Sequence, residues 1–521
     1  MMKESPSLSG RYDICDHGAI GDGHQLDSPA IQRAIDACAQ AGGGTVVVPP
    51  GVYRCGPMQL RSGVRLHLEH RALVQASDRM DDYRVEEAGN PRRRGLLAAD
   101  KAIDVVIDGD GVIDGSGRTF HISGRHHTKP DFVRDHTRQG AAYMGNPDHL
   151  VHGPMDFDRK PGVMLRFTNC ENVTLRGITL RDSPAWATNF TLCRHVNLHD
   201  LRVENDMLVP NSDGLHVVAC QFVRISHCDI TAGDDAIAVS TLGLDTTAHE
   251  EVPLDRRRTE NVVVSNSVLR SRSAAVRIGY GPWEVRRVVL SNLVIHGSNR
   301  GIGVFVRNGG SVRDVRCNNI VIDTDLVTGH WWGNAEPIHL SATIGEDMNR
   351  TIPDNLTSPG IIENLSFSHI TARSAHGCIA WADQPGLIRD LRFDQVDLRI
   401  RYSEWQMTSG GNFDLRPSRD MTTSIFAHDI PAAFFYHVER LTVRGLAVQW
   451  DEELADWYTH VLHARSCRDI SIDEVRGESQ SGKGSPIHFE QCERAVVRPF
   501  GRGESILQTD DTCRDCRVLD Q

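Results

Sequence analysis

The sequence predicts an all-β fold, a single-stranded right-handed parallel β-helix with a short N-terminal helix cap and long loops. Short segments of alternating apolar and polar residues recur along the chain, and several successive segments start 23 to 27 residues apart. Alternation within a segment is typical of a strand. A fixed period of this length indicates stacked structural repeats, in which each unit buries its apolar face against its neighbours.

The first apolar residue of each unit marks the repeat. It is found at Val173, Val196, Val223, Val262, Val288, Val315, Leu365, Leu391, Leu441 and Ile470. Stacking of parallel strands at about 4.8 Å places residues one repeat apart side by side. The alternative, a set of antiparallel sandwiches, is disfavoured because the chain lacks the hairpin turns that such folds need.

The N-terminal segment predicts the helical cap. Residues Ser28 to Gln40 carry apolar side chains at helical spacing, with Ser28 as the expected N-cap and Gly42 as the expected stop. A glycine triplet then leads into an apolar strand, Thr45 to Val48. Residues 11–80 are therefore expected to form the cap and the first coils.

The whole chain, residues 1–521, is expected to form one β-helix domain. Two segments interrupt the repeat, Gly115 to Lys160 and Asp323 to Pro359. Loops of this length in a compact repeat fold are usually functional, so both are predicted to border the binding groove.

Composition limits the classes of function. Apolar residues make up 40% and charged residues 24% of the chain, and the net charge is −12. Basic residues are not concentrated on one segment, which argues against nucleic-acid or anionic-membrane partners. No segment looks like a signal peptide or a membrane span. The thirteen cysteines are mostly scattered singly, so we expect reduced thiols and a cytoplasmic protein, with Cys513 and Cys516 as a possible redox or metal pair.

Two acidic motifs carry the strongest chemical signal. Asn211-Ser212-Asp213-Gly214 is followed by Gly233-Asp234-Asp235, and Asp213 and Asp235 are 22 residues apart, close to one repeat. The solenoid would place these carboxylates together, where repulsion favours one protonated and one ionised group. That pairing serves glycosidic cleavage, which needs an acid and a base. The alternative is that the aspartates only cap turns at strand ends.

The chain also resembles a known family. An Asn-x-Asp-Gly motif, a Gly-Asp-Asp motif one coil later, and the stretch Gly42 to Tyr53 are similar to glycoside hydrolase family 28, the polygalacturonases and their relatives. The similarity covers most of Tyr12 to Leu326, and the segment from Trp331 to Pro337 resembles bacterial members. The resemblance implies the pectin-lyase-like solenoid and an inverting hydrolase in which Asp234 is the general acid and Asp213 and Asp235 activate water.

Two family motifs are altered. The position of the family's Gly-His-Gly motif holds Ser273 to Gly279 without a histidine, and the nearest match to its Arg-Ile-Lys motif is Phe305-Val306-Arg307. Arg307 is expected to replace the lysine that grips a uronate carboxylate. Strand alternation turns His216 and Arg277 outward, so both are candidate substrate-binding residues, as is Asn211.

Trp331 and Trp332 are adjacent in the second long loop. Their indole rings could form a platform on which a sugar stacks, and they are included among the expected substrate-binding residues. The alternative is that they anchor the loop to the core.

The sequence therefore predicts an exo-acting, inverting hydrolase of α-linked galacturonides or pectin-derived oligosaccharides, with no cofactor and no metal. Three alternatives stay open: a hydrolase of a rhamnogalacturonan fragment or neutral glycoside, a uronate polysaccharide lyase that uses Ca²⁺, and a carbohydrate-binding β-helix without turnover. The expected partner is an oligosaccharide substrate, and the sequence is silent on oligomeric state.

Overall fold

The structure is a computed structural model of the chain. It describes residues 10–83, 95–126, 136–140, 151–241, 252–307, 309–343, 360–416, 424–480, 482–499 and 506–519. Parts of both long loops, 127–135, 141–150 and 344–359, lie outside the described residues, and the predicted role of the loops in a groove stays a prediction.

Contacts divide the chain into two compact units. The first comprises Met1–Arg125, Met155–Asp234 and Val262–Ser267, and the second comprises His126–Pro154, Asp235–Asn261 and Val268–Gln521. Each is built from parallel strands. The single domain expected over residues 1–521 stays a prediction.

The first unit contains strands of two parallel sheets. The larger group is Arg11–Asp13, Asp22–Leu26, Gly44–Val48, Gly51–Cys55, Val64–Leu68, Ala72–Ala76, Ile103–Gly109, Val112–Asp114, Glu171–Arg176, Thr179–Arg181, Arg194–His199, Arg202–Glu204, Gln221–Ser226 and Asp229–Ala232. The smaller group is Met58–Gln59, Leu97–Asp100, Leu165–Thr168, Thr188–Thr191 and Leu215–Val218. A short separate sheet joins Ile122–His126 to Met155–Asp156.

The register of the first unit follows the sequence repeat. Val173 pairs with Val196, and Val196 pairs with Val223, each in a parallel ladder. All three side chains are fully buried. The repeat starts therefore mark the inward-facing positions that build the core.

The second unit continues the same pattern. One group of strands is Glu284–Ser298, Ser311–Thr324, Ile361–Ser374, Ile388–Ile400, Val438–Trp450, Arg468–Asp473, Glu493–Arg498 and Arg514–Val518. The other is Ile237–Ser240, Ala274–Gly279, Arg300–Val306, Ile338–Ala342, Cys378–Ala382, Ala433–Tyr436, Leu462–Arg465, Ile487–Glu490 and Leu507–Thr509. Strand Arg258–Ser271 has residues in both units.

Register in the second unit also follows the repeat. Val288 pairs with Val315, Val315 with Leu365, and Leu365 with Leu391. One antiparallel pair, Asn412–Asp414 with Ile425–Ala427, interrupts the series. The chain is thus an all-β, right-handed parallel β-helix, and the predicted fold class is confirmed.

The turn before each repeat has its own conformation. The residue preceding the first apolar position has a positive φ in all ten units: Asn172, His195, Phe222, Asn261, Arg287, Asp314, Asn364, Asp390, Arg440 and Asp469. Left-handed backbone is uncommon outside glycine, asparagine and aspartate. Its recurrence at histidine, phenylalanine and arginine shows that the coil geometry, and not the residue type, imposes the turn.

The N-terminal cap is the α-helix Ser28–Gln40, as predicted. The expected N-cap is wrong by one residue, because Asp27 occupies that position and Ser28 is the first helical residue. The Ser28 hydroxyl instead accepts a hydrogen bond from the Gly56 N–H. Gly42 follows the helix with a φ of 93°, consistent with its role as a stop.

The other helical segments among the described residues are short. They are the helix Gln406–Ser409 and the 3-10 turns Ile14–His17, Met80–Tyr83, Gly117–Phe120 and Leu254–Arg256. Within the described ranges, no helix has the length and apolar character to cross a bilayer. All thirteen cysteines are described and are free thiols, including Cys513 and Cys516.

Candidate active site

Asp213 and Asp234, one from each acidic motif, lie in successive turns of the first unit. Strand Arg202–Glu204 pairs in parallel with Asp229–Ala232, with Val203 opposite Ile230. The segment that leaves the first strand holds Asp213, and the segment that leaves the second holds Asp234. Parallel pairing therefore brings together two motifs that are far apart along the chain.

The carboxylates of Asp213 and Asp234 are close and buried. An oxygen of one lies within 4.8 Å of an oxygen of the other, and both residues are less than a tenth exposed. The side-chain amide of Asn211 donates a hydrogen bond of 3.2 Å to Asp234 Oδ2. The structure thus joins Asn211, Asp213 and Asp234, as the sequence predicts.

Hydrogen bonds hold the two turns against each other. Ser212 Oγ donates to the carbonyl of Val209 at 2.8 Å and accepts from the Gly233 N–H at 3.1 Å. A Cβ at Gly233 would lie 2.3 Å from the Val209 oxygen, so only glycine fits this close approach. Asn205 adds a further hydrogen bond, because its side-chain amide donates to the Ser212 carbonyl at 2.9 Å.

His216, predicted to face outward beside the aspartates, lies beside this pair and is buried. Its Nδ1 is 3.8 Å from Asp213 Oδ2. The ring is completely buried, and its centroid is 3.9 Å from the ring centroid of Trp186. Trp186 is itself only half-buried. An indole therefore covers the outward face of His216.

Asp235 is the first residue of the segment that belongs to the second unit. Its carboxylate accepts hydrogen bonds from Arg277 Nε and, at 3.1 Å, from the Ala274 N–H. Arg277 was expected to be a partner of the aspartates or of the substrate. The structure places it against Asp235.

Arg277 and Arg307 both approach Tyr280. Their guanidinium carbons lie 4.8 Å and 4.2 Å from the centre of its ring. Arg307 is 5% exposed, and its Nε and Nη1 make no hydrogen bond to any residue that the structure describes. Cation–π contact stabilises a guanidinium without occupying its donors. Arg307 therefore has two buried nitrogens that the described residues leave without a hydrogen-bond acceptor.

The two loop tryptophans differ from each other. Trp331 is 3% exposed, and its indole N–H donates to the carbonyl of His152 at 2.6 Å. This contact favours the loop-anchoring alternative for Trp331. Trp332 is half-buried, and the guanidinium of Arg416 lies 5.3 Å from its ring centre. Stacking of a sugar on Trp332 stays a prediction.

Sequence reasoning missed three residues of this region: Trp186, Asn205 and Tyr280. The signal for Trp186 is weak, because it precedes its strand by a turn and shows no alternation. Asn205 follows a strand in the polar step Glu204-Asn205-Asp206, which is a position that also suits an ordinary turn. Tyr280 follows directly after the strand that carries Arg277, and this adjacency could have identified it.

Chemically, the first unit offers two buried carboxylates within reach of one small group, with an amide donor on one of them. Such a pair can place a protonated carboxyl beside an ionised one, which is the basis of general acid and base catalysis. The second unit offers a carboxylate neutralised by arginine and a guanidinium with donors to spare. Both arrangements suit a polar, hydroxyl-rich or acidic ligand.

Comparison with known proteins agrees with these features. The chain is 23% identical over 348 residues to a probable polygalacturonase of Vitis vinifera, covering 62% of this chain and 64% of that protein. It is 26% identical over 296 residues to the exo-poly-alpha-D-galacturonosidase of Dickeya chrysanthemi, covering 51% and 47% respectively. The chain thus spans about half to two thirds of the length of these curated relatives.

The fold has a counterpart among solved structures. The family 28 exopolygalacturonase of Yersinia enterocolitica superposes with a TM-score of 0.56 at 16% sequence identity, covering 98% of this chain and 78% of that one. The sequence model of glycosyl hydrolases family 28 matches residues 38–247, the region that contains Asp213, Asp234 and Asp235. Over this region, the chain is similar to glycosyl hydrolases family 28.

Proposed function

We propose that the protein hydrolyses O-glycosidic bonds and that Asp213 and Asp234 transfer the protons. The observation that carries the proposal is the approach of these two buried carboxylates to within 4.8 Å, inside the region that matches the family. The family resemblance supports Asp234 as the acid that protonates the leaving oxygen. Asp213 then acts as the base that activates water.

We propose a role for Asp235 that differs from that of Asp234. Its carboxylate accepts hydrogen bonds from Arg277 and from a backbone N–H. A carboxylate that already serves as an acceptor for two donors suits the acceptance of a hydrogen bond from the attacking water. This agrees with the resemblance, which places Asp235 with Asp213 on the water-activating side.

We further propose an acidic substrate, an α-linked galacturonide or pectin-derived oligosaccharide. The guanidinium of Arg307 supports this choice, because a cation whose Nε and Nη1 have no acceptor among the described residues favours an anionic ligand. The similarity to the Dickeya chrysanthemi exo-poly-alpha-D-galacturonosidase supports exo action. The half-buried Trp186, rather than Trp331, is the tryptophan we propose for contact with a sugar ring.

The proposal that the reaction inverts the anomeric centre rests on the family resemblance and not on the distance between the carboxylates. Inverting enzymes separate their two carboxyl groups by about 6.5–9.5 Å, and retaining enzymes by about 5–5.5 Å. The approach of single oxygens of Asp213 and Asp234 to within 4.8 Å is a different quantity and does not choose between these two ranges. The anomeric configuration of the first product is therefore one of the quantities that the test below measures. A cytoplasmic, reducing location is also a proposal, supported by the thirteen free thiols.

The test is turnover of defined pectic oligosaccharides by the purified protein. We expect new reducing ends, monomer or dimer released from one end by mass spectrometry, and the inverted anomer as the first product by proton NMR. Asp234→Asn should lower kcat by at least about 100-fold, the lower range for a proton-transferring side chain. Asp213→Asn should do the same.

The control is Asp229→Asn, an exposed aspartate on a neighbouring strand, which should leave turnover unchanged. Products that absorb in the near ultraviolet would indicate an unsaturated sugar and hence a lyase. Full activity of the Asp234→Asn protein would contradict the assignment. Ligand binding without any reducing sugar would identify a binding protein.

A further inference from the structure

A histidine cluster lies on two neighbouring coils near the C-terminal end of the second unit. His463 belongs to strand Leu462–Arg465, and His488 and Glu490 belong to strand Ile487–Glu490. The two strands pair in parallel with His463 directly opposite His488. Leu462, Ala464, Ile487 and Phe489 are buried. Alternation therefore turns the histidines and Glu490 to the outer face.

The polar atoms of the cluster converge. Glu490 Oε2 lies 3.7 Å from His463 Nε2, and Glu490 Oε1 lies 3.9 Å from His488 Nε2. One ligand atom from each of the three residues lies within 4.8 Å of the others. The imidazole rings are stacked with centroids 4.7 Å apart and an interplanar angle of 18°. The two nitrogens thus face one carboxylate from adjacent coils.

One nitrogen of the cluster, His463 Nε2, stands out by its hydrogen bonding. It is buried and makes no hydrogen bond to any described residue, and the Glu490 oxygen at 3.7 Å is too far to accept one. An imidazole nitrogen that makes no hydrogen bond can offer its lone pair to a metal ion.

We propose that His463, His488 and Glu490 form a binding site for a divalent transition metal such as Zn²⁺. Two imidazole nitrogens and one carboxylate are a common ligand set for such ions. Ligand atoms around a tetrahedral Zn²⁺ stand roughly 3.3 Å apart, given bonds of about 2.0–2.1 Å. The separations of 3.7 Å and 3.9 Å approach that value, and metal binding would rotate the stacked imidazoles so that both nitrogens face one ion.

Two neighbours bear on the site. Arg465 Nε lies 3.5 Å from Glu490 Oε2, so it competes with a cation for the carboxylate. His460 packs with its ring centroid 4.9 Å from that of His488, and its Nδ1 is 2.9 Å from the Ser485 carbonyl. A metal here would link two successive coils. Its expected effect is stabilisation of the C-terminal coils, independent of the proposed catalysis.

The test is titration of the EDTA-treated full-length protein with Zn²⁺ by isothermal calorimetry, with Co²⁺ absorption as a second readout. We expect one saturable Zn²⁺ per chain and a higher thermal midpoint in excess Zn²⁺, because a ligand that binds the native state stabilises it. His463→Ala, His488→Ala and Glu490→Gln should each weaken binding at least tenfold. Arg465→Ala should bind Zn²⁺ as tightly as the native protein or more tightly.

The control is His296→Ala, which removes an exposed histidine from another strand and should leave Zn²⁺ binding unchanged. The main alternative is a purely structural stack of imidazoles. In that case Zn²⁺ would neither bind saturably nor raise the thermal midpoint. Native affinity in either the His463→Ala or the His488→Ala protein would also overturn the proposal, whatever the stability of those variants.

Discussion

The environment of the Arg307 side chain bears on which sugar the protein would bind. Its guanidinium is nearly buried and packs 4.2 Å from the Tyr280 ring centre. Two of its nitrogens make no hydrogen bond to the described residues. A buried guanidinium with unused donors is costly unless a ligand completes it. A uronate carboxylate would accept a charge-assisted hydrogen bond from one of these nitrogens.

We therefore expect Arg307→Gln to raise KM for galacturonide substrates by about tenfold or more, since a hydrogen bond to a charged group contributes about 1.5–3 kcal/mol. The value of kcat should change less, because the lost contact is made in the ground state as well. Steady-state kinetics on a uronide and on a neutral glycoside measures both. Arg392→Gln, which changes an exposed arginine, is the matched control. An unchanged KM would argue for a neutral substrate.

At the scale of elements, a buried ionic network ties a loop and a hairpin to a strand. Arg300, on strand Arg300–Val306, reaches Glu336 at 3.3 Å and the carbonyl of Asp414 at 3.2 Å. Asp414 in turn accepts from Gly333 N–H at 2.7 Å and from Arg416 at 2.9 Å. Charged groups this deeply buried need every partner in place.

Replacement of Glu336 by glutamine should therefore destabilise the protein by roughly 3–5 kcal/mol, because it leaves the Arg300 charge uncompensated. Chemical unfolding monitored by circular dichroism would measure the loss. Glu452→Gln, at an exposed position, should change the free energy of unfolding by less than about 0.5 kcal/mol. Equal stability of the two variants would show that the network contributes little to the fold.

At the scale of the whole molecule, buried carboxylates contribute to the response to acid. Burial alone would raise the pKa of Asp108, but hydrogen bonds from Arg65, His67 and Arg176 hold that pKa below its usual value. Burial would also raise the pKa of Glu336. Arg300 and His339 lower it, and the pKa of Glu336 is well below its usual value. Asp182 and Asp325 shift the other way, since burial raises their pKa.

For Asp108 and Glu336, the unfolded chain binds more protons than the folded chain between the lowered pKa and the unfolded pKa of about 4. The stabilisation that these two carboxylates contribute is complete above their pKa in the unfolded chain. It is lost as pH falls through their pKa values in the folded chain. We expect the thermal midpoint to drop between about pH 5 and pH 2, with a smaller opposing contribution from Asp182 and Asp325. Calorimetric scans across this range would check it. A midpoint that stays constant would contradict the assigned shifts.

The sequence predicted the fold closely because a solenoid repeats one local pattern. Val173, Val196 and Val223 are chosen by alternation and period alone, and the ladders pair these same residues. The helix Ser28–Gln40 was predicted from apolar spacing, whereas its N-cap was misplaced by one residue because Asp27 and Ser28 are both good caps. The pairing of Asp213 with Asp234 followed from the same period.

What the sequence could not reveal is which groups cover or neutralise the candidate site residues. The burial of His216 depends on Trp186, and the environment of Arg307 depends on Tyr280. These contacts form through turns and strand ends, where no period constrains side-chain direction. The same applies to Trp331, whose indole is held by a backbone carbonyl 179 residues away in the chain.

By itself, then, the sequence determined the coil, its register and the meeting of the two acidic motifs, because neighbouring coils must bury matching apolar faces at a constant spacing. Only the tertiary structure decided that Asp235 is held by Arg277, that Arg307 keeps unused donors, and that two histidines converge on Glu490. Those outcomes depend on the rotamers and exposure of side chains outside the core, which the periodic burial of the strands does not specify.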